Sequence, residues 1–487
     1  MRYCARPRRA LRQKPSPSTN AWPVARYAIL PRGRFAFRLD PPREQRQTKG
    51  LFARFLLLLL LTCWSITAFG SSKRPKQDYG GPPPATAAPT LMWVPRVTLF
   101  PVWLVSEYVV REPLGALVRT AEKNHWTDEI ISFFTFGERR NITIFPSALF
   151  DFGLKPSVGF NLTWKYFLAE PNTLKVHFGT WGPDWIAARA NDDYSLTPKQ
   201  HLLAGASFVN RRDLPFFGMG PRSPSDPRLR YQALTSELSL GYQNDFWRAS
   251  ELVTRVGFRS LSFGDAGCCS EPSLSDRVDS GAVPAPPGYR DDYVAEFQSI
   301  SVALDSRRAL PQNGTGVRLE GHGEAIFAPG SAEKRRAWLG YGASLGAAID
   351  FWRGRTVGLG IRGDLTDPLL GTIPFTDQVS LGGDKPMRGF LPGRLVDRSA
   401  VVATANYVWP VWVFLNGVVQ ADVGNVFGEH FDGFDARLAR LSTAIGIRSN
   451  GSPESGLEVL VAGATDPFEN GFHYSSFRLV IGSHHGL

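Results

Sequence analysis

From Asn141 to Leu487 apolar and polar positions alternate with a period of two, in short runs separated by turn-forming clusters. In 412-WVFLNGVVQADVGNVF-427, Val413, Leu415, Gly417, Val419, Ala421 and Val423 share one face. Phe414, Asn416, Val418, Gln420, Asp422 and Gly424 share the other. In 317-VRLEGHGEA-325, Arg318, Glu320, His322 and Glu324 oppose Val317, Leu319, Gly321 and Gly323. A period of two is that of a strand, whose successive side chains leave opposite faces. One apolar face and one polar face fit a wall with lipid outside and a wet lumen inside.

The pattern predicts sixteen strands, over 141–152, 157–167, 172–181, 184–193, 201–211, 229–242, 246–259, 293–305, 314–326, 338–350, 355–365, 400–409, 412–424, 438–449, 454–464 and 475–485. Their lengths suit a tilted crossing of a hydrocarbon layer. Even-to-odd connections such as 243-QND-245, 351-FWRG-354, 410-PV-411 and 450-NGSP-453 are tight. Odd-to-even connections such as 212–228, 260–292, 327–337, 366–399 and 425–437 are long. Tight turns on one rim and long loops on the other characterise outer-membrane barrels, and closure leaves no unpaired edge in lipid. The expected fold is all-β: a sixteen-stranded antiparallel transmembrane β-barrel with a short N-terminal helical segment. A soluble sandwich would not account for polar residues on the enclosed face of so many strands.

Ahead of the barrel the texture differs. In residues 97–140, Val102, Val105, Val109, Leu114, Leu117 and Val118 recur at helical spacing. They predict two short amphipathic helices interrupted at Pro113. Residues 71–96 form a Pro/Gly-rich linker with no means of building a core. Residues 51–70 read as a secretory signal. Arg54 precedes the run FLLLLLL, and Ala68 and Gly70 stand at the small-residue positions before cleavage. Residues 1–50 are a basic leader, long for such a signal, which points to a translation start near Leu51.

The net charge of +11 changes little in this picture. Residues 1–50 hold 13 basic and 2 acidic side chains, leaving 42 of each in the remainder. The body therefore offers no electrostatic case for nucleic acid. Of four cysteines only Cys268 and Cys269 lie within the barrel, adjacent in a loop, as a vicinal disulfide or as thiols. No metal-ligand spacing occurs, and no cofactor is expected. The eight histidines include none in a Ser/His/Asp context, and the G-x-S-x-G match 342-GASLG-346 lies among strand glycines with no strand–turn–helix unit around it. His322, beside Glu320 and Glu324, would be the best general base, but it fits a solvated pore-lining residue better, so the chain is expected not to be an enzyme.

The most informative segment is 381-LGGDKPMRGFLPGRLVDR-398, a glycine-rich loop with Arg388 between Met387 and Gly389. A cation delivered beside a half-polar wall suggests a loop folded back into the barrel. The stretch LGG…MRGF (Gly382, Gly383, Met387, Arg388, Gly389, Phe390) resembles the loop signature of the BamA/TamA-type outer-membrane assembly factors, the bacterial surface antigen family. Also similar are 422-DVGNVF-427, 304-LDSRRALPQNGTG-316 and, more weakly, 216-FFGMG-220, so the resemblance covers residues 140–487. It departs from the family at Gln420, at Asn406, Tyr407 and Val408, and at the final Leu487. Between Gly70 and Asn141 there are linker and helix, with too few strand segments for even one of the family's periplasmic POTRA modules.

The resemblance implies that Arg388 enters the lumen and pairs with Asp422, which strand parity independently turns inward. Gly382 and Gly383 would let the loop turn tightly. It further implies a bacterial outer-membrane protein, in contact with outer-membrane lipid. Such a protein would assist insertion or translocation of unfolded outer-membrane proteins, or move lipid, through a weakly paired first and last strand. The alternative is a passive porin-like or structural barrel.

Overall fold

The computed structural model describes residues 132–483 except 227, 267–268, 308–313, 332–333, 353, 413–414 and 450–456, together with a few single positions before 132. The leader, the signal segment, the linker and most of the 97–140 helical segment lie outside the described residues. Within that segment Thr120 Oγ1 donates to the Ala116 carbonyl at 2.8 Å, one helical turn back.

Sixteen strands close into one antiparallel barrel. They are β1 Ile142–Asp151, β2 Ser157–Lys165, β3 Asn172–Thr180, β4 Trp185–Thr197, β5 Gln200–Phe216, β6 Leu229–Trp247, β7 Ser250–Gly264 and β8 Tyr293–Asp305. The second half comprises β9 Gly316–Ala328, β10 Arg336–Trp352, β11 Arg355–Leu370, β12 Ser399–Trp412, β13 Leu415–Phe427, β14 Arg440–Ser449, β15 Leu457–Thr465 and β16 Tyr474–Ser483. Each strand pairs with its sequence neighbours, and β16 returns to β1. The side-chain alternation explains this closure. Val317, Leu319, Val357, Leu359, Ile361 and Leu345 point outward and are exposed, a surface that an apolar medium must cover. The polar partners face in. Among the described residues no helix is long and apolar enough to cross a membrane.

Two predicted turns are displaced. Gln243, Asn244 and Asp245 remain inside β6, in register with Val253, Leu252 and Glu251. Pro410 and Val411 belong to β12. Paired polar residues at a hairpin tip read as a turn when seen without their partners; here the hairpins run on past the apolar belt. Cys269 is disulfide-bonded, and Cys268 lies outside the described residues.

The wall is uneven. β5, β6, β10 and β11 run for 17, 19, 17 and 16 residues. β1, β2, β3 and β14, β15, β16 run for 10, 9, 9, 10, 9 and 10. The short strands flank the closure.

That closure is a narrow seam. Among the described residues β16 meets β1 through Val480↔Asp151, Ile481↔Phe150 and Gly482↔Leu149, with the Phe152 N–H donating to the Leu479 carbonyl at 2.9 Å. Beyond this, the edge of β1 is covered by a stub, Thr135–Phe136, paired with Thr143 and Ile142. The Ile144 N–H donates to Phe134 O at 2.9 Å. Two residues along, where the antiparallel ladder again turns its backbone to the seam, stands Pro146, which has no N–H to offer.

Candidate functional site

Between β11 and β12 the chain folds into the lumen. A small hairpin, Val379–Leu381 against Leu395–Asp397, forms its stem. Gly382 lies at φ +100°, and an added Cβ would stand 2.5 Å from the Leu391 carbonyl; only glycine turns here without strain. Gly389 is required for a different reason. Its missing Cβ would lie 2.4 Å from the Gly463 carbonyl of β15, so the loop backbone rests directly on the wall. Met387 and Phe390 are fully buried and pack with Leu381, Leu395, Ala400, Val402, Val426 and Ala464.

Arg388 reaches a carboxylate, but not the expected one. Its two Nη atoms donate to Glu458 Oε1 and Oε2 at 2.6 and 2.5 Å, a bidentate fork. Asp422 instead accepts the Met387 backbone N–H at 2.9 Å, Thr404 Oγ1 at 2.7 Å and Gln420 Nε2 at 2.9 Å. Both acids face the lumen. The loop runs deeper than its alternation with the strand could reveal, so the guanidinium passes Asp422 and meets the second residue of β15.

Three further residues, not singled out from the sequence, complete the cradle. Gly389 N–H donates to Ser442 Oγ at 2.8 Å, and Ser476 Oγ donates to the Gly389 carbonyl at 2.7 Å. Arg478, on the last strand, donates Nε and Nη2 to Asp151 Oδ1 and Oδ2 of the first strand at 2.8 and 2.7 Å. Its Nη1 donates to the loop carbonyls of Gly383 and, at 3.1 Å, Arg388. The signal for these was parity: Phe477, Leu479 and Ile481 face outward, so Arg478 must face in. Glu458 is likewise a lone acid among Leu457, Val459, Leu460 and Val461.

The loop is tied to the opposite wall as well. Phe375 packs with Phe216, Leu229, Leu274 and Tyr289, and Tyr293 Oη donates to Asp377 Oδ2 at 2.7 Å. The loop thus bridges the lumen from the β5–β8 side to the seam side.

The lumen divides accordingly. On the seam side Asp422 and Arg478 are each 1 % exposed. On the β9 wall the side chains of Arg318, Glu320, His322 and Glu324 are 27, 25, 30 and 29 % exposed. Facing inward beside them, by register, are Gly346, Gly342 and Gly340. His322 Nε2 lies 3.2 Å from Asp364 Oδ1, and that carboxylate also takes Arg362 Nε at 2.7 Å. Glu320 pairs with Arg318 and Glu324 with Arg259, so the expected acid–base neighbourhood of His322 is an ion-pair lattice. Near the long-loop rim, Asp367, Glu429 and His430 converge. Arg398 donates to Glu429 at 2.6 Å and lies 3.4 Å from Asp367, supplying the positive charge a metal ion would bring.

Fold and site define a closed sixteen-stranded barrel with a loop anchored inside it. Neither the protein-family models nor the curated proteins contain a match to this chain. Among solved structures it is similar to BamA from Haemophilus ducreyi lacking POTRA domains 1-3, at 14% identity over 70% of each chain with a TM-score of 0.47. It is also similar to CdiB from Acinetobacter baumannii, at 8% identity over 70% of this chain and 60% of that one, TM-score 0.45. A third is the TodX monoaromatic hydrocarbon channel deltaS2 mutant, at 10% identity over 70% and 89%, TM-score 0.31. At these scores the likenesses carry no argument about function; the reading that follows rests on the chain's own geometry.

Proposed function

We propose that the protein is a bacterial outer-membrane barrel of the BamA/TamA type, without POTRA modules, that helps insert or translocate unfolded outer-membrane proteins, or moves lipid, by parting its seam. The observation that carries this reading is the contrast between ladders. β14 and β15 stay paired from Ser442↔Ala464 to Arg448↔Glu458, whereas among the described residues β16 and β1 share three register pairs. Backbone hydrogen bonds are what hold strands together in hydrocarbon, where water cannot replace them. A wall built of such bonds therefore parts first where they are fewest. The short strands beside the seam and the buried Arg388–Glu458 loop anchor support the same reading, the loop bracing the wall that must open.

The test is to place cysteines at Phe150 and Ile481, which are register partners, and lock the seam as a disulfide. A deletion strain complemented with the locked barrel should show reduced outer-membrane protein levels that recover on reduction. Full complementation by the locked barrel would overturn the reading. The solvated charges along β9 and β11 favour a second reading, a passive porin-like barrel. Steady ion conductance of the purified protein in planar bilayers, with outer-membrane protein levels unchanged on deletion, would support that instead.

A further inference from the structure

We infer that Arg478 is a positioning residue that makes loop seating and seam closure a single two-state event. The inference rests on the proposal that the seam parts. A guanidinium presents five donors in a rigid fork. Arg478 commits one edge of that fork to Asp151 of β1 and its Nη1 to the loop carbonyls of Gly383 and Arg388. One side chain on the last strand therefore holds both the first strand and the lumen loop. Arg478 is 1 % and Asp151 3 % exposed.

Neither attachment is released alone without penalty. Parting the seam takes Asp151 away and leaves the guanidinium buried with carbonyls as its remaining partners. Lifting the loop takes the carbonyls away and leaves that Nη1 turned to an emptied cavity. A buried polar group deprived of its partner is costly, so each release becomes easier once the other has happened. That is coupling in the thermodynamic sense, and it must be reciprocal. The loop's other ties lie elsewhere: Gly389 reaches Ser442 on β14 and Ser476 on β16, and Arg388 reaches Glu458 on β15, one strand removed from the seam. Arg478 is thus the polar contact that joins the loop to Asp151 of β1 across the closure, beside the apolar packing of Leu391 on Leu154 just past the end of β1.

The experiment uses the full chain in detergent, carrying Phe150→Cys and Ile481→Cys, with limited trypsin cleavage at Arg394 as the readout of loop lifting. Arg394 is 3 % exposed when the loop is seated. Glu458→Gln, which loosens the Arg388 side chain from β15, should raise the cleavage rate. Forming the 150–481 disulfide should then lower it by on the order of tenfold, although the disulfide lies on the outer face and touches no loop residue. Adding Arg478→Lys should abolish that protection, because an ammonium cannot serve the carboxylate and the loop carbonyls as a fork does. Heat-modifiable mobility on gels verifies that each variant is folded. Equal cleavage of the oxidised and reduced forms, or protection that persists in the Arg478→Lys variant, would overturn the inference. Because the readout is cleavage, it stands or falls separately from outer-membrane protein levels, which test the parent proposal.

Discussion

The two sides of the lumen are built from the same alternating strands yet solve opposite problems. Along β12–β16 and β1 the inward face is dry. Leu460, Ala462, Ala464 and Val480 are buried; Arg388 pairs with Glu458 and Arg478 with Asp151, while Asp422 is held by neutral donors. Along β9–β11 the inward face is wet, and Arg318, Glu320, His322, Arg362 and Asp364 form a lattice in which charges are shared. The difference lies in what covers each face. The loop lies on one side, so water cannot compensate for a lost partner; on the other it can. Identical residue types should therefore carry very different energetic weight on the two sides.

Substitution across the two faces puts this contrast at risk directly. Arg478→Ala should have the largest effect, lowering stability by about 3–5 kcal/mol by leaving Asp151 buried without its counter-ion. Denaturant midpoints in detergent would read this. Arg388→Ala and Glu458→Ala should each cost somewhat less, about 3 kcal/mol. The double variant should be no worse than either single one, since the same fork is lost; additive losses would show that the two do not act as a pair. Gly389→Ala should cost about 1–3 kcal/mol by pushing the loop off the Gly463 carbonyl, visible as a lower heat-modification temperature. Arg318→Ala, a charge of the same type on the wet wall, should cost no more than about 1 kcal/mol. A loss there equal to that at Arg478 would erase the distinction between the two faces.

Much of the architecture was legible because lipid imposes a strict rule. Every crossing strand must turn apolar residues outward, so a period of two survives in Val317, Leu319 and their neighbours whatever the lumen does. The tight turns were less legible. Gln243, Asn244 and Asp245 carry turn-forming chemistry yet pair across the β6–β7 hairpin, and nothing local distinguishes a polar strand tip from a turn. The loop signature around Arg388 marked the right segment, and parity marked Asp422 as lumenal. Which carboxylate Arg388 meets was not encoded locally, because Asp151, Asp422 and Glu458 all face inward and the choice depends on how far the loop descends. The Arg478–Asp151 pair joins positions 327 residues apart, a distance no local pattern spans.

Among the described residues no strand pairs with β1 at Pro146 across the seam, and the proline gives that margin a further property. A strand edge exposed within a crowded bilayer invites any passing extended chain, including the same margin of a second copy, to zip along it. An imino acid midway interrupts that zipper after a residue or two, so unwanted partners gain no cooperative purchase. The barrel can thus keep a loosely sewn margin without becoming adhesive to its own kind.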